Sequence, residues 1–153
     1  MLAVAAVLFG GALTMQAFVI GVVLPAQARE NRVSKVEHLA AYGWMRANVP
    51  AGTPVMAYSD PLFNLYTGFP STRRPILPAY WYREDHARII DEWGNLKDFA
   101  RDHGLKYYYF IDSDLNDPID DEERAAISLA HHTNTYMTPV YRKGDVTIYK
   151  FSD

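Results

Sequence analysis

No cysteine occurs anywhere in the 153 residues. Disulfides, Cys-ligated zinc and thiol nucleophiles are therefore excluded, whereas the absence fits any compartment. Charge is missing from one region: residues 1–28, MLAVAAVLFGGALTMQAFVIGVVLPAQA, hold no Asp, Glu, Lys or Arg. All 15 basic and 18 acidic side chains consequently fall in residues 29–153. A basic excess is also lacking, and a net charge of −3 offers no electrostatic footprint for nucleic acid, so no nucleic-acid partner is expected. Catalytic signatures are missing as well. His38, His86, His103, His131 and His132 form no His-x3-His pair and no Glu-flanked zinc-protease pattern, and there is no Gly-x-Ser-x-Gly elbow.

What is present divides the chain in two. Leu2 to Leu24 is apolar except for Thr14 and Gln16, and it is long enough for the roughly 20 residues that cross a bilayer core. Residues 1–28 are thus expected to form a transmembrane helix or uncleaved signal anchor in contact with membrane lipid. Ala26-Gln27-Ala28 has the small-x-small form of a cleavage site, but the apolar run exceeds a signal h-region and no Lys or Arg precedes it. A start directly inside apolar sequence points to an N-terminally truncated chain. Residues 29–153 have the length and charge of one soluble domain.

Within that domain, apolar residues at 36, 39, 40, 44 and 47 predict a helix ending at Asn48, with Ser34 and Glu37 as a capping box. Thr53 to Tyr58 reads as a buried strand. Asp60, Pro61 and Gly68 then punctuate a two-turn helix over Leu62 to Thr67. A proline-rich loop follows, with Ile76 and Leu77 as a brief strand. Positions 89, 93, 96 and 100 predict an amphipathic helix from Asp85 to His103, stopped by Gly104. Lys106 to Ile111 is a core strand, Asp117-Pro118 opens a helix to about His132, and Tyr136 to Arg142 with Val146 to Phe151 makes a hairpin. The order implies an α/β fold: a three-layer domain with a mainly parallel sheet and a C-terminal antiparallel hairpin.

Three stretches carry candidate chemistry. After the first strand, Asp60, Tyr66, Thr67, Arg73 and Arg74 lie where open α/β sheets bind ligands, and the two arginines suit a phosphate or carboxylate. Capping and a surface Arg pair explain the same residues without a ligand. Tyr80 and Trp81 offer aromatic faces for a sugar, or simply pin a loop to the core. Seven carboxylates crowd residues 112–123, and Asp112, Asp114, Asn116, Asp120 and Glu123 match positions 1, 3, 5, 9 and 12 of a calcium loop. Asp117 stands where that loop needs Gly, and an N-cap Asp117 with acidic first-turn residues accounts for the charges equally. Calcium is the one cofactor this sequence invites, and none is required.

The helix ending Trp-Met-Arg-Ala-Asn-Val-Pro-Ala-Gly, the strand Pro-Val-Met-Ala-Tyr, the Asp-Pro…Leu-Tyr-Thr-Gly stretch, and the Lys-Tyr-Tyr-Tyr-Phe-Ile-Asp and Val-Thr-Ile-Tyr-Lys-Phe strands recur together here. The arrangement resembles the C-terminal extracytoplasmic domain of bacterial GT-C class membrane glycosyltransferases, the protein-mannosyltransferase-like and aminoarabinose-transferase-like group. Phe69 follows Tyr-Thr-Gly where many such tails carry Arg. The resemblance implies sugar transfer from a polyprenyl phosphate to a glycan, lipid or protein acceptor, at the bacterial cytoplasmic membrane with the domain outside. It implies catalytic carboxylates in a multi-spanning portion beyond this sequence, so no catalytic residue is assigned here and the chain alone is expected to be inactive. Arg29, Arg32 and Lys35 after the apolar run weigh toward a cytoplasmic domain. The interspersed Glu30 and Glu37 dilute that bias, and the family orientation is preferred. The alternative function is a single-pass, membrane-anchored, non-catalytic domain that binds a ligand or protein, including a calcium-stabilised one.

Overall fold

A computed structural model describes residues 14–75, 82, 85–114 and 119–152. The chain divides into two units, Met1–Val36 and Glu37–Asp153. In the first, residues 14–18 are α-helical, Val19–Val23 is a π-helical turn, and the long helix α1, Leu24–Asn48, begins. A helix-interior proline lacks its N–H and collides with the carbonyl four residues earlier, so the wider π turn immediately before Pro25 absorbs that conflict. Among the described residues no helix is long and apolar enough to cross a membrane. Residues 2–13 of the expected span lie outside the described residues. Residues 29–36, expected to open the soluble domain, fall in the first unit. Because α1 is already helical there, Ser34 is an interior residue and not the expected cap.

The second unit is an α/β fold on a five-stranded sheet: β1 Val55–Ala57, β2 Ser71–Thr72, β3 Tyr107–Ile111, β4 Met137–Lys143 and β5 Val146–Phe151, in spatial order β2-β1-β3-β5-β4. β1 pairs in parallel with β2 and β3, whereas β5 pairs antiparallel with β3 and β4. The sheet is therefore evenly mixed where a mainly parallel one was expected, because the closing hairpin inserts β5 directly against β3. Helices complete the fold: α2 Asp60–Thr67, α3 His86–Gly94, α4 Lys97–Asp102 and α5 Asp121–Thr133.

The strands alternate between two cores, as the period-2 geometry of a strand requires. Met56, Tyr108, Phe110, Tyr149 and Phe151 face Ile89, Trp93, Leu96 and Ala100 of the α3–α4 region and Ile127 of α5. Val55, Ala57, Tyr109, Ile111, Val146 and Ile148 face Ala41, Tyr42, Met45 and Val49 of α1 and Phe63 of α2. Helices thus cover both faces, giving three layers. The α1 residues in this core differ from those the periodicity selected: Leu39 is exposed and Trp44 only partly buried, packing on Tyr141 at 5.4 Å. The face with Tyr42 and Met45 wins because it meets Phe63 and Tyr109.

The expected helix from Asp85 to His103 is broken into α3 and α4, although Ile89, Trp93, Leu96 and Ala100 are all buried as the spacing predicts. The break is made by Tyr136, whose hydroxyl accepts from Leu96 N–H at 2.9 Å and donates to Gly94 O at 3.0 Å. It takes over backbone groups that a continuous helix would have paired internally. Likewise α5 starts later than expected. Asp120, not Asp117, is its N-cap, in a full capping box with Glu123. For α2 the cap is Ser59, while Asp60 and Pro61 open the helix and Gly68 ends it in the left-handed conformation (φ 76°). The short edge strand β2 was not foreseen, and Ile76 and Leu77 lie outside the described residues.

β4 and β5 are joined at Gly144-Asp145, and Gly144 has φ 57°. A Cβ there would run into the Glu37 carboxyl group. Gly144→Ala should therefore lower stability by about 1 kcal/mol, read from the urea midpoint, combining left-handed strain with displacement of Glu37. An unchanged midpoint would show that the turn tolerates a side chain.

Candidate functional site

From β1 the chain crosses over α2 to β2 on one side, then returns over α3 and α4 to β3 on the other. The carboxyl ends of β1 and β3 thus flank the point where strand order reverses, the usual position of a ligand crevice in an open α/β sheet. The segment after β1 is Tyr58-Ser59-Asp60, and that after β3 is Asp112-Ser113-Asp114.

The fold separates the ligand candidates of the first segment. Thr67 is buried, and its hydroxyl donates to Phe63 O at 2.6 Å and accepts from Phe69 N–H at 3.2 Å, so it is spent on ending α2. The Asp60 carbonyl accepts from the Ser71 hydroxyl at 2.9 Å, while its carboxylate sits 4.0 Å from Arg73 Nε. That loose, exposed pair contributes little. Arg74 turns elsewhere: Nη2 is 3.6 Å from Glu92 of α3, and its guanidinium lies 5.1 Å over the Phe99 ring. The two arginines therefore do not converge on one anion. Tyr80 and Trp81 lie outside the described residues.

Like Arg73, Tyr66 faces solvent. It is exposed, stacks on Tyr42 of α1 (5.9 Å, 10° between rings), and its carbonyl accepts from Arg46 Nη1 at 2.8 Å. Behind this pair, the buried Tyr109 hydroxyl is hydrogen-bonded to His38 Nδ1 at 2.7 Å, and Tyr109 also packs on Phe63 at 4.9 Å. Burial, reinforced by neighbouring Tyr42, pushes the Tyr109 hydroxyl well above the usual phenol range, so it stays protonated. Leu62 and Leu65 are exposed on the same helix as Tyr66.

Asp114 closes the turn after β3. Its Oδ2 accepts from Ile111 N–H at 3.1 Å, and its own N–H donates to Ile111 O at 2.9 Å. Burial, with a smaller push from Asp145, raises its carboxyl to about 7, against the opposing Ile111 hydrogen bond. Asp145 reaches this position because Ile111 pairs with Val146 and Asp112 N–H donates to Asp145 O at 3.0 Å. Asp145 Oδ1 is buried with no hydrogen-bond partner among the described residues. A carboxyl half-protonated near neutrality can both accept and give a proton.

The calcium-loop candidates are only partly among the described residues. Asn116 lies outside the described residues, and Asp112 and Asp114 do not join Asp120 and Glu123 in a group of ligand atoms. Instead, Glu123 Oε1 lies 2.6 Å from His86 Nδ1 at the start of α3, and His86, Asp120 and Glu123 place one ligand atom each within 4.8 Å of the others. His86 was not singled out from sequence because 37 residues separate it from Glu123. Asp120 and Glu123 carry the Asp-x-x-Glu spacing of a capping box, but the cap was expected at Asp117.

Comparison with protein-family models, with curated proteins and with solved structures finds no match for this chain.

Proposed function

We propose that residues 29–153 are an accessory extracytoplasmic domain of a bacterial membrane glycosyltransferase that takes its sugar from a polyprenyl phosphate. In this reading the domain supplies no catalytic group. It presents a surface to the glycan or lipid acceptor, or to the membrane-embedded part of the enzyme. The observation that supports it is the outward face of α2, where Leu62, Leu65 and Tyr66 are all exposed beside the carboxyl end of β1. Leu62, Leu65 and Tyr66 fall at i, i+3 and i+4 on one helix face, the kind of apolar grouping a contact site uses. It also lies in the Asp-Pro…Leu-Tyr-Thr-Gly stretch that carries the family resemblance.

Two measurements test the proposal. A topology reporter fused after Asp153 should be active outside the cytoplasm, and activity confined to the cytoplasm would overturn the orientation. In a complete transferase carrying this domain, replacing Tyr66 and Arg73 together by alanine should lower turnover several-fold at unchanged expression. Full turnover in the double variant would leave α2 with a structural role alone. The same exposed face also serves the alternative, a membrane-anchored domain that binds a protein or ligand without catalysis. Loss of partner capture with normal sugar transfer in the double variant would favour that second reading.

A further inference from the structure

We propose that His86, Asp120 and Glu123 form a site for a divalent transition metal of the zinc class, independent of the glycosyltransferase reading. The site follows from how two helices pack. Gly94 near the end of α3 meets Ala130 of α5, where a Cβ on Gly94 would lie 3.1 Å from the Ala130 Cβ. One residue away, His131 Nε2–H donates to Trp93 O at 2.7 Å. At the other end, His86 meets Glu123. The helices therefore run side by side in the same direction, with their N-termini adjacent.

Two positive dipole ends held together are unfavourable, and carboxylates offset them. Asp85, Asp120, Asp121, Glu122 and Glu123 gather there. Dipole compensation alone, however, does not account for the orientation of Glu123. Its side chain is 2% exposed, and the capping box consumes only one oxygen: Oε2 accepts from Asp120 N–H at 3.0 Å, while Asp120 Oδ1 accepts from Glu123 N–H at 2.9 Å. The second oxygen, Oε1, is aimed at the imidazole nitrogen of another helix.

Each carboxylate is thus held by a backbone N–H through one oxygen, the kind of outer hydrogen bond that fixes metal ligands in place. Tetrahedral zinc with ligands at about 2.0–2.1 Å sets neighbouring donor atoms roughly 3.3 Å apart. The His86–Glu123 pair must open slightly from 2.6 Å, and the full set already lies within 4.8 Å. One imidazole nitrogen with two carboxylates suits zinc, nickel or cobalt and leaves a position for water. Calcium takes about six to eight oxygens and has no use for imidazole, so the chemistry here differs from the calcium-loop alternative for these acids.

The full chain, stripped of metal by chelation and dialysis, should be titrated with zinc and with calcium by calorimetry and thermal melting. One zinc per chain is expected, with a raised melting temperature at about 100 µM zinc and no response to calcium. His86→Ala leaves the capping box intact and should weaken zinc binding at least about tenfold. Asp120→Asn keeps a good N-cap while removing a charged ligand, and should weaken it similarly. Absence of a zinc-dependent shift, undiminished binding in His86→Ala, or an equal response to calcium overturns the proposal.

Discussion

Replacing Asp114 by asparagine should stabilise the folded chain by about 4 kcal/mol near pH 8 and by less than about 1 kcal/mol near pH 4. The sign follows from the carboxyl raised to about 7 in the folded state from 3.8. Between those values the native chain holds a proton that the unfolded chain has released, so wild-type stability falls as pH rises through that window. Asparagine mimics the protonated form, can still accept from Ile111 N–H, and removes the repulsion from Asp145. Urea midpoints of both proteins from about pH 4 to 8 should therefore diverge steadily with pH. A difference that stays constant would mean that Asp114 ionises normally.

His131 acts in the opposite sense. Burial holds its imidazole below the usual range, so it stays neutral and donates through Nε2 to Trp93 O. Its contribution is intact above the ordinary His range and is lost as pH falls through its lowered pKa. Wild-type stability is thus limited by Asp114 on the alkaline side and by His131 on the acid side, and the asparagine variant removes only the alkaline limit.

The second large effect concerns two adjacent tyrosines. Tyr108→Phe should raise stability by about 1–2 kcal/mol, because the Tyr108 hydroxyl is fully buried without a hydrogen-bond partner among the described residues. Its ring contacts with Phe110, His131 and Tyr149, at 5.5, 5.8 and 6.1 Å, survive in phenylalanine. Tyr109→Phe on the opposite face should instead cost about 1 kcal/mol, since it orphans His38 Nδ1. Thermal melts of the pair give a clear test: a destabilised Tyr108→Phe would mean that a water satisfies the hydroxyl.

Local signals carried much of this architecture. Gly68 ends α2, the turn at Gly144-Asp145 joins the hairpin, and the aromatic run from Tyr107 to Ile111 is a core strand, as their residue types require. Features set by distant partners were not readable. The α3–α4 break depends on a hydroxyl 40 residues away, and the parallel-to-antiparallel balance depends on where β5 docks. Crowding hid the start of α5, because with so many carboxylates in residues 112–123 several positions resemble an N-cap. At the candidate site, sequence order indicated the carboxyl end of β1 and the exposed Tyr66. It could not show that Arg74 would turn to Glu92, or that Asp145 would come beside Asp114.

The position of β5 between β3 and β4 also bears on how the chain is made. During synthesis β3 appears well before β5, and its aromatic edge has no permanent neighbour on that side until Val146 to Phe151 follow. An open, apolar strand edge invites pairing with other chains. A released chain that ends before Val146 therefore exposes the β3 edge to other chains, and loss of β5 removes the middle of the sheet rather than its margin.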